Sequence, residues 1–388
     1  MPKIKIKTTT LCLAVFLLLC SPLTGLIVRF SLYTKKIILP DGSTKLQRVV
    51  LCGDNHIIGT PENNLRQWYA LLEQLERHKQ IPINILVENQ RLCGSWFHDA
   101  IDKKLEELIH QDLRFCLQTN EPGTLTMLSL VGLPITFFPK KYHRVLDKLS
   151  ITNIECRQLG YYTVLLNQDA LRQNIYNPNL IAPFKKLQEQ KIKTLTLNDI
   201  IKPTHMLTCY KNNSVDVKVR AIFAGIQQRL NSNWRHLTAQ WKKEFPDLVM
   251  HQPIANLRRH YQQTLGMVFD GYVVYQLFNP FEQDLCTSLI TSQFMDEMIE
   301  ANALWHITKP DAADTVVALV GSTHSGHLDI VKVAYTLADH LLALGYQHVT
   351  SFGLEDIHNV DAVYCQKVSK EIPQKVAFLL EQNNKFHR

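Results

Sequence analysis

Val316-Val317-Ala318-Leu319-Val320-Gly321-Ser322-Thr323-His324 is an apolar run that breaks at a glycine and reaches a histidine three residues later. The same arrangement occurs near the other end of the chain, as Val49-Val50-Leu51-Cys52-Gly53-Asp54-Asn55-His56. Each apolar run reads as a buried strand, too short for a helix and rich in β-branched residues. A strand ending in Gly-x-x-His delivers an imidazole to the carboxyl end of a sheet, where α/β folds place their ligands. One such segment carries little meaning. Two can bring His56 and His324 together, and two convergent histidines begin a metal or acid/base site.

The segments between these strands have βα rhythm. Thr60-Pro61-Glu62 supplies an N-cap, a first-turn proline and an early acid, and Leu65, Trp68, Tyr69, Leu72 and Leu75 follow at helical spacing. Ile83 to Val87 is a second strand, ending in Glu88. Pro134 to Phe138 and Ile151 to Ile154 are further strand candidates. Alternation of this kind predicts an α/β fold with a mostly parallel sheet and helical crossovers. Residues 31 to 47 read as a lead-in hairpin turning at Asp41-Gly42. From about 161 to 283 the chain is mostly helical, with stretches at Lys185 to Lys193, Ala221 to Leu230 and Leu237 to Lys243, and reads as a large insertion or lid. The βα pattern then returns: helix Asp284 to Leu304, strand Val316 to Val320, helix His327 to Leu344 capped by Gly345, and strand His348 to Phe352. The expected organisation is 1–30 export signal or anchor, 31–160 and 284–355 the two halves of the α/β domain, 161–283 the insertion, and 356–388 a tail with a short helix.

Length and composition fit a globular chain: 388 residues, 46% apolar and 20% charged. The formal charge of +7 is scattered, with no basic stripe interleaved with aromatics, so nucleic acid is not expected as a partner. Lys3, Lys5 and Lys7 precede an apolar run from Leu11 to Val28. This is a signal pattern without a good small-x-small cleavage site, so it reads as an export signal that can persist as a membrane anchor. The early lysines put the body of the protein on the periplasmic or extracellular side. Seven cysteines follow the signal, widely spaced and never as Cys-x-x-Cys, which suggests neither a disulfide framework nor a zinc knuckle.

Other polar residues at predicted strand ends are candidates for chemistry. Asp54 can bind metal, orient the imidazole of His56 or act as a base, or it can be a turn aspartate bonded to its own backbone. Glu88 belongs at the carboxyl edge beside the first strand, either in the site or facing water. Glu155 and Arg157 end the Ile151 to Ile154 strand, as a structural pair or with Arg157 gripping an anionic group. His327 reads as a helix-start polar residue. Asp296 and Glu297, on the helix packed through Met295, Met298 and Ile299, read as solvated. The Gly-x-Ser-x-Gly, His-Glu-x-x-His, Walker and Gly-x-Gly-x-x-Gly motifs are absent.

Gly-x-x-His after the first strand, a glutamate after the next, and a second Gly-x-x-His before the last helix together resemble the Tiki/TraB superfamily, with its ChaN-like and erythromycin esterase-like branches. The phrase Val-Ala-Leu-Val-Gly-Ser-Thr-His is especially similar to the TraB-like C-terminal signature. The resemblance covers residues 48 to 160 and 284 to 352. Gly-Asp-Asn-His departs from the Gly-Glu-x-His of the ChaN and esterase branches by placing Asp54 where they have glutamate. The Tiki branch implies metal-dependent peptide hydrolysis, with His56, His324 and Glu88 on a divalent metal such as Zn, Mn or Co. Glu88, Asp54 and Arg157 are then the expected catalytic groups, and the substrate is a peptide or a small ester. The ChaN branch implies haem binding, or binding of a peptide, without turnover.

Overall fold

Six strands form one mixed sheet in the order β4-β3-β5-β2-β1-β6. They are β1 (Leu26–Ile38), β2 (Thr44–Asn55), β3 (Ile83–Val87), β4 (Leu149–Asn153), β5 (Thr315–Gly321) and β6 (Gln347–Gly353). The computed structural model describes residues 26–38, 41–55, 83–88, 149–154, 177–194, 204–244, 285–321 and 335–353, with a few isolated positions besides. β2, β5, β3 and β4 pair in parallel, and β1 runs antiparallel to both of its neighbours. Together with the helices this makes an α/β-like chain.

β5 is central because of its composition. Thr-Val-Val-Ala-Leu-Val-Gly is apolar after its first residue, and all seven residues are buried. A strand apolar on both faces finds satisfaction only inside a parallel sheet covered on both sides. β3, Ile-Asn-Ile-Leu-Val, is likewise buried throughout. The hairpin forms around Asp41, whose carboxylate accepts from the Ser43 N–H at 2.9 Å and the Ser43 hydroxyl at 2.6 Å. Those bonds hold the Asp41 carboxyl below its ordinary range. Gly42 takes a positive φ of 81°, open to glycine at little cost.

The hairpin is longer than the sequence pattern predicts. β1 begins at Leu26, so Leu26, Ile27 and Val28, counted above with the apolar export segment, belong to the sheet. Ile27 is buried there. The expected export segment of 1–30 therefore overlaps the first strand by five residues, Leu26 to Phe30. Among the described residues no helix is long and apolar enough to cross a membrane. Residues 1–25 lie outside them, as do the strand expected at Pro134 to Phe138 and the helix expected after Thr60.

The described helices between β4 and β5 are α1 (Ile181–Thr194), α2 (Thr204–Asn213), α3 (Val217–Glu244) and α4 (Leu285–Thr308). α3 is one continuous helix where the sequence suggested two. α4 is apolar around much of its circumference and buries Met298, Ile299, Ala301, Ala303, Leu304 and Ile307. α5 (Leu337–Ala343) is only the last part of the predicted His327 to Leu344 helix; Tyr335 and Thr336 are not helical, and residues 327–334 lie outside the described ones. Thr336 is extended (φ −83°, ψ 168°) and caps α5 in a reciprocal box with Asp339, which starts the helix there. The other end matches expectation. Gly345 (φ 85°) closes a Schellman motif, its N–H bonded to Leu342 and that of Tyr346 to Leu341.

Candidate active site at the carboxyl edge

β2 and β5 are neighbours, and their register sets Gly53 against Val320 and Asp54 against Gly321. The two Gly-x-x-His segments, 268 residues apart in the chain, therefore leave the sheet side by side at its carboxyl edge. β3 ends level with them, Val87 opposite Leu319. The parallel register of β2, β5 and β3 sets this alignment.

Glu88 follows β3 directly. It is buried, at 2% exposure, not turned to water. Its N–H donates to the Leu319 carbonyl at 3.1 Å, and its Oε2 accepts the Gly321 N–H at 2.8 Å. The glutamate thus extends the β3–β5 ladder by one rung, with a side chain in place of a carbonyl. Burying a carboxylate is costly without donors, and a backbone amide at this distance is a strong one. Gly321 is held from its other side too: its carbonyl accepts the N–H of Ser325 at 3.3 Å, and Ser325 is fully buried. The second Gly-x-x-His is thereby tied at its glycine to the glutamate ending the intervening strand.

Of the residues predicted from sequence, the structure brings Glu88 and the backbone of Asp54 to flanking positions about Gly321. His56, Arg157, His324, His327 and Glu155 lie outside the described residues, and Asp54 is placed by its backbone alone. Among the described residues no group of three or more His, Cys, Asp or Glu is arranged to hold a metal ion. Cys52, just before Gly53, is fully buried, and that burial pushes its thiol up to about 12, so it serves as packing.

Two features of the edge escaped the sequence. The first is Asn302. Its Nδ2 donates to the Ile154 carbonyl at 2.9 Å, and its Oδ1 accepts the Tyr210 hydroxyl at 2.6 Å. This relay pins the end of β4 to α4 and α2, and Tyr210 also stacks on Trp305 (4.9 Å, 11°). The second is Glu297, buried at 3% where the sequence reading had it solvated. It accepts from Arg229 Nε of α3 at 2.9 Å. Its other oxygen, Oε2, is buried without a hydrogen-bond partner. Burial raises the Glu297 carboxyl, against the pull of Arg229. Neither feature has a sequence signature, since the partners are 68 to 148 residues away.

α4 runs opposite to the parallel strands. The Ile307 carbonyl accepts from Gln47 near the start of β2, whereas Asn302 meets the end of β4. At about 1.5 Å per residue, Glu297 lies roughly 7 Å farther along the helix, on the carboxyl side of the sheet. No family model, curated protein or solved structure matches this chain.

Proposed function

We propose that the chain is an exported or membrane-anchored, metal-dependent hydrolase of peptide or ester bonds, of the Tiki/TraB kind. The observation that carries this reading is Glu88: a buried carboxylate at the carboxyl edge, bonded to the glycine that opens one Gly-x-x-His segment and level with the other. A carboxylate and two imidazoles are the donor set of many hydrolytic zinc sites. His56 is two residues beyond Asp54, and His324 three beyond Gly321, so both segments start from adjacent points. In this reading His56, His324 and Glu88 hold the ion. A divalent metal in such a site lowers the pKa of bound water from about 15.7 to about 7 and so supplies hydroxide at neutral pH.

The remaining residues serve the site in defined ways. The Gly321 amide fixes the orientation of the Glu88 carboxylate, as outer-shell donors do for metal ligands. Asp54 orients an imidazole or takes a proton from the attacking water. Arg157 steadies the anion that develops on the substrate. The helices between residues 161 and 283 are, in this reading, an insertion or lid over the sheet. The apolar segment before Leu26 exports or tethers the domain.

Metal analysis of the purified protein, with a screen of peptide and ester substrates, tests this. The expected result is about one equivalent of a divalent metal, with metal and hydrolysis both lost in His56→Ala and in His324→Ala. Metal-free protein whose hydrolysis survives both changes would overturn it. A Soret band on haem titration that vanishes in a histidine variant, without turnover, would favour the binding-only branch.

A further inference from the structure

Two helices and the segment leading into a third meet at one arginine. Arg229 of α3 bonds Glu297 of α4, and its guanidinium lies 5.0 Å from the ring centroid of Tyr335. Tyr335 precedes the cap of α5 and stacks on His340 of that helix, at 5.9 Å and 28°. α5 also packs on α4. His340 is 4% exposed, and its Nε2 is buried with no hydrogen-bond partner. Arg229 Nη2 and Glu297 Oε2 are buried without partners as well. A structural core would fill these positions with apolar side chains or complete their bonds. We propose that the cluster is an acid-sensitive lock, which holds α5 against α3 and α4 when His340 is neutral and releases it when His340 takes a proton.

The physical case rests on where an added proton would go. On the closed cluster it would create an N–H at a buried nitrogen with no acceptor, beside the guanidinium of Arg229. Arg229 is the charge facing His340 from α3. Asp339, on the same helix, is a counter-charge that pulls the other way, and its carboxylate is engaged by the Thr336 N–H and hydroxyl, each at 2.9 Å. From α4, Glu297 pairs with Arg229 at 2.9 Å, and Glu300, one turn farther on, is buried as well. Burial first, and then Arg229, lower the His340 imidazole from 6.5 to about 4. A histidine so depressed favours the closed form above pH 6.5, and that preference is lost progressively down to about pH 4. Glu297 works the other way. Its carboxyl is raised from 4.5, so its burial costs least in acid. The two groups therefore respond to acid with opposite sign, and replacing His340 alone separates them.

Hydrogen exchange on the full-length protein tests the lock. After correction for intrinsic rates, the opening constant of the α5 amides should rise about thirtyfold between pH 8 and pH 5, from a shift of 6.5 to about 4. In His340→Phe, which fills the ring site without a titrating nitrogen, the rise should fall below about threefold. An equal rise in His340→Phe, or none in the native chain, would overturn the proposal. Should that variant not fold, NMR titration of the His340 ring in the native protein decides instead. A ring still neutral at pH 5.5 while α5 remains protected supports the lock, and one titrating near 6.5 with α5 still protected refutes it.

Discussion

The two ends of the parallel strands solve the same problem with different chemistry. At the amino end a neutral amide, Gln47, is buried and fully engaged. Its Nε2 donates to the Ile307 carbonyl at 2.8 Å and to Ala313 at 3.2 Å, and its Oε1 accepts the Tyr346 hydroxyl. Burial raises the Tyr346 phenol, so it remains a donor across the physiological range. At the carboxyl end the buried group is an acid, Glu88, on the Gly321 amide. An amide cannot lose or gain a proton and suits a permanent tie. A carboxylate costs more to bury and can change its charge. The contrast sets a permanent tie at the amino end against a titratable group at the carboxyl end, which is the end where the proposed function puts its chemistry.

Substitutions at the two ends should separate these roles. Gln47→Ala leaves the Tyr346 hydroxyl and two carbonyls without partners, so stability should fall by about 3 kcal/mol in urea denaturation. Glu88→Gln should show the reverse profile. The new amide oxygen can still accept from Gly321, so stability should change by less than about 1 kcal/mol. Hydrolysis should nevertheless fall by at least about 100-fold, measured as kcat/KM. A Glu88→Gln protein that is active but unstable would reduce Glu88 to scaffold and erase the contrast.

Asn302→Ala sharpens it further. The Ile154 carbonyl and the Tyr210 hydroxyl lose their partner, and a cost of about 2 kcal/mol is expected in the same denaturation assay. Activity should fall as well if the end of β4 helps to shape the site, since Arg157 follows it closely. The smallest effect belongs to a position remote from the candidate chemistry. Gly345→Ala forces a Cβ into a φ of 85°, where nothing within 4 Å obstructs it, so backbone strain alone should cost about 1 kcal/mol. Activity per folded molecule should not change.

The strands were legible because their chemistry is local. Val316 to Val320, Ile83 to Val87 and Ile151 to Ile154 are short apolar runs with a boundary residue at the end, and each forms a strand close to where the pattern sets it. Gly345 was legible for the same reason, as a glycine needed to stop a helix. Glu88 stood out by position, but whether it faced solvent or the site depends on the Gly321 amide 233 residues away. Glu297 was misread because two acids beside apolar helix positions look alike from sequence. Its burial follows from Arg229 arriving on another helix. The start of α5 was misplaced because helical periodicity continues across Thr336, whereas the capping box with Asp339 breaks it there.

By itself, the sequence determined the α/β character, the buried central strands and the positions where strands end, because apolar periodicity and turn chemistry act over a few residues. Only the tertiary structure decided that β2 and β5 lie side by side, that Glu88 turns inward to Gly321, and that Arg229, Glu297 and His340 share one cluster. Those are pairings between distant segments, selected by which apolar faces can be covered at once, and no short stretch of the chain contains that information.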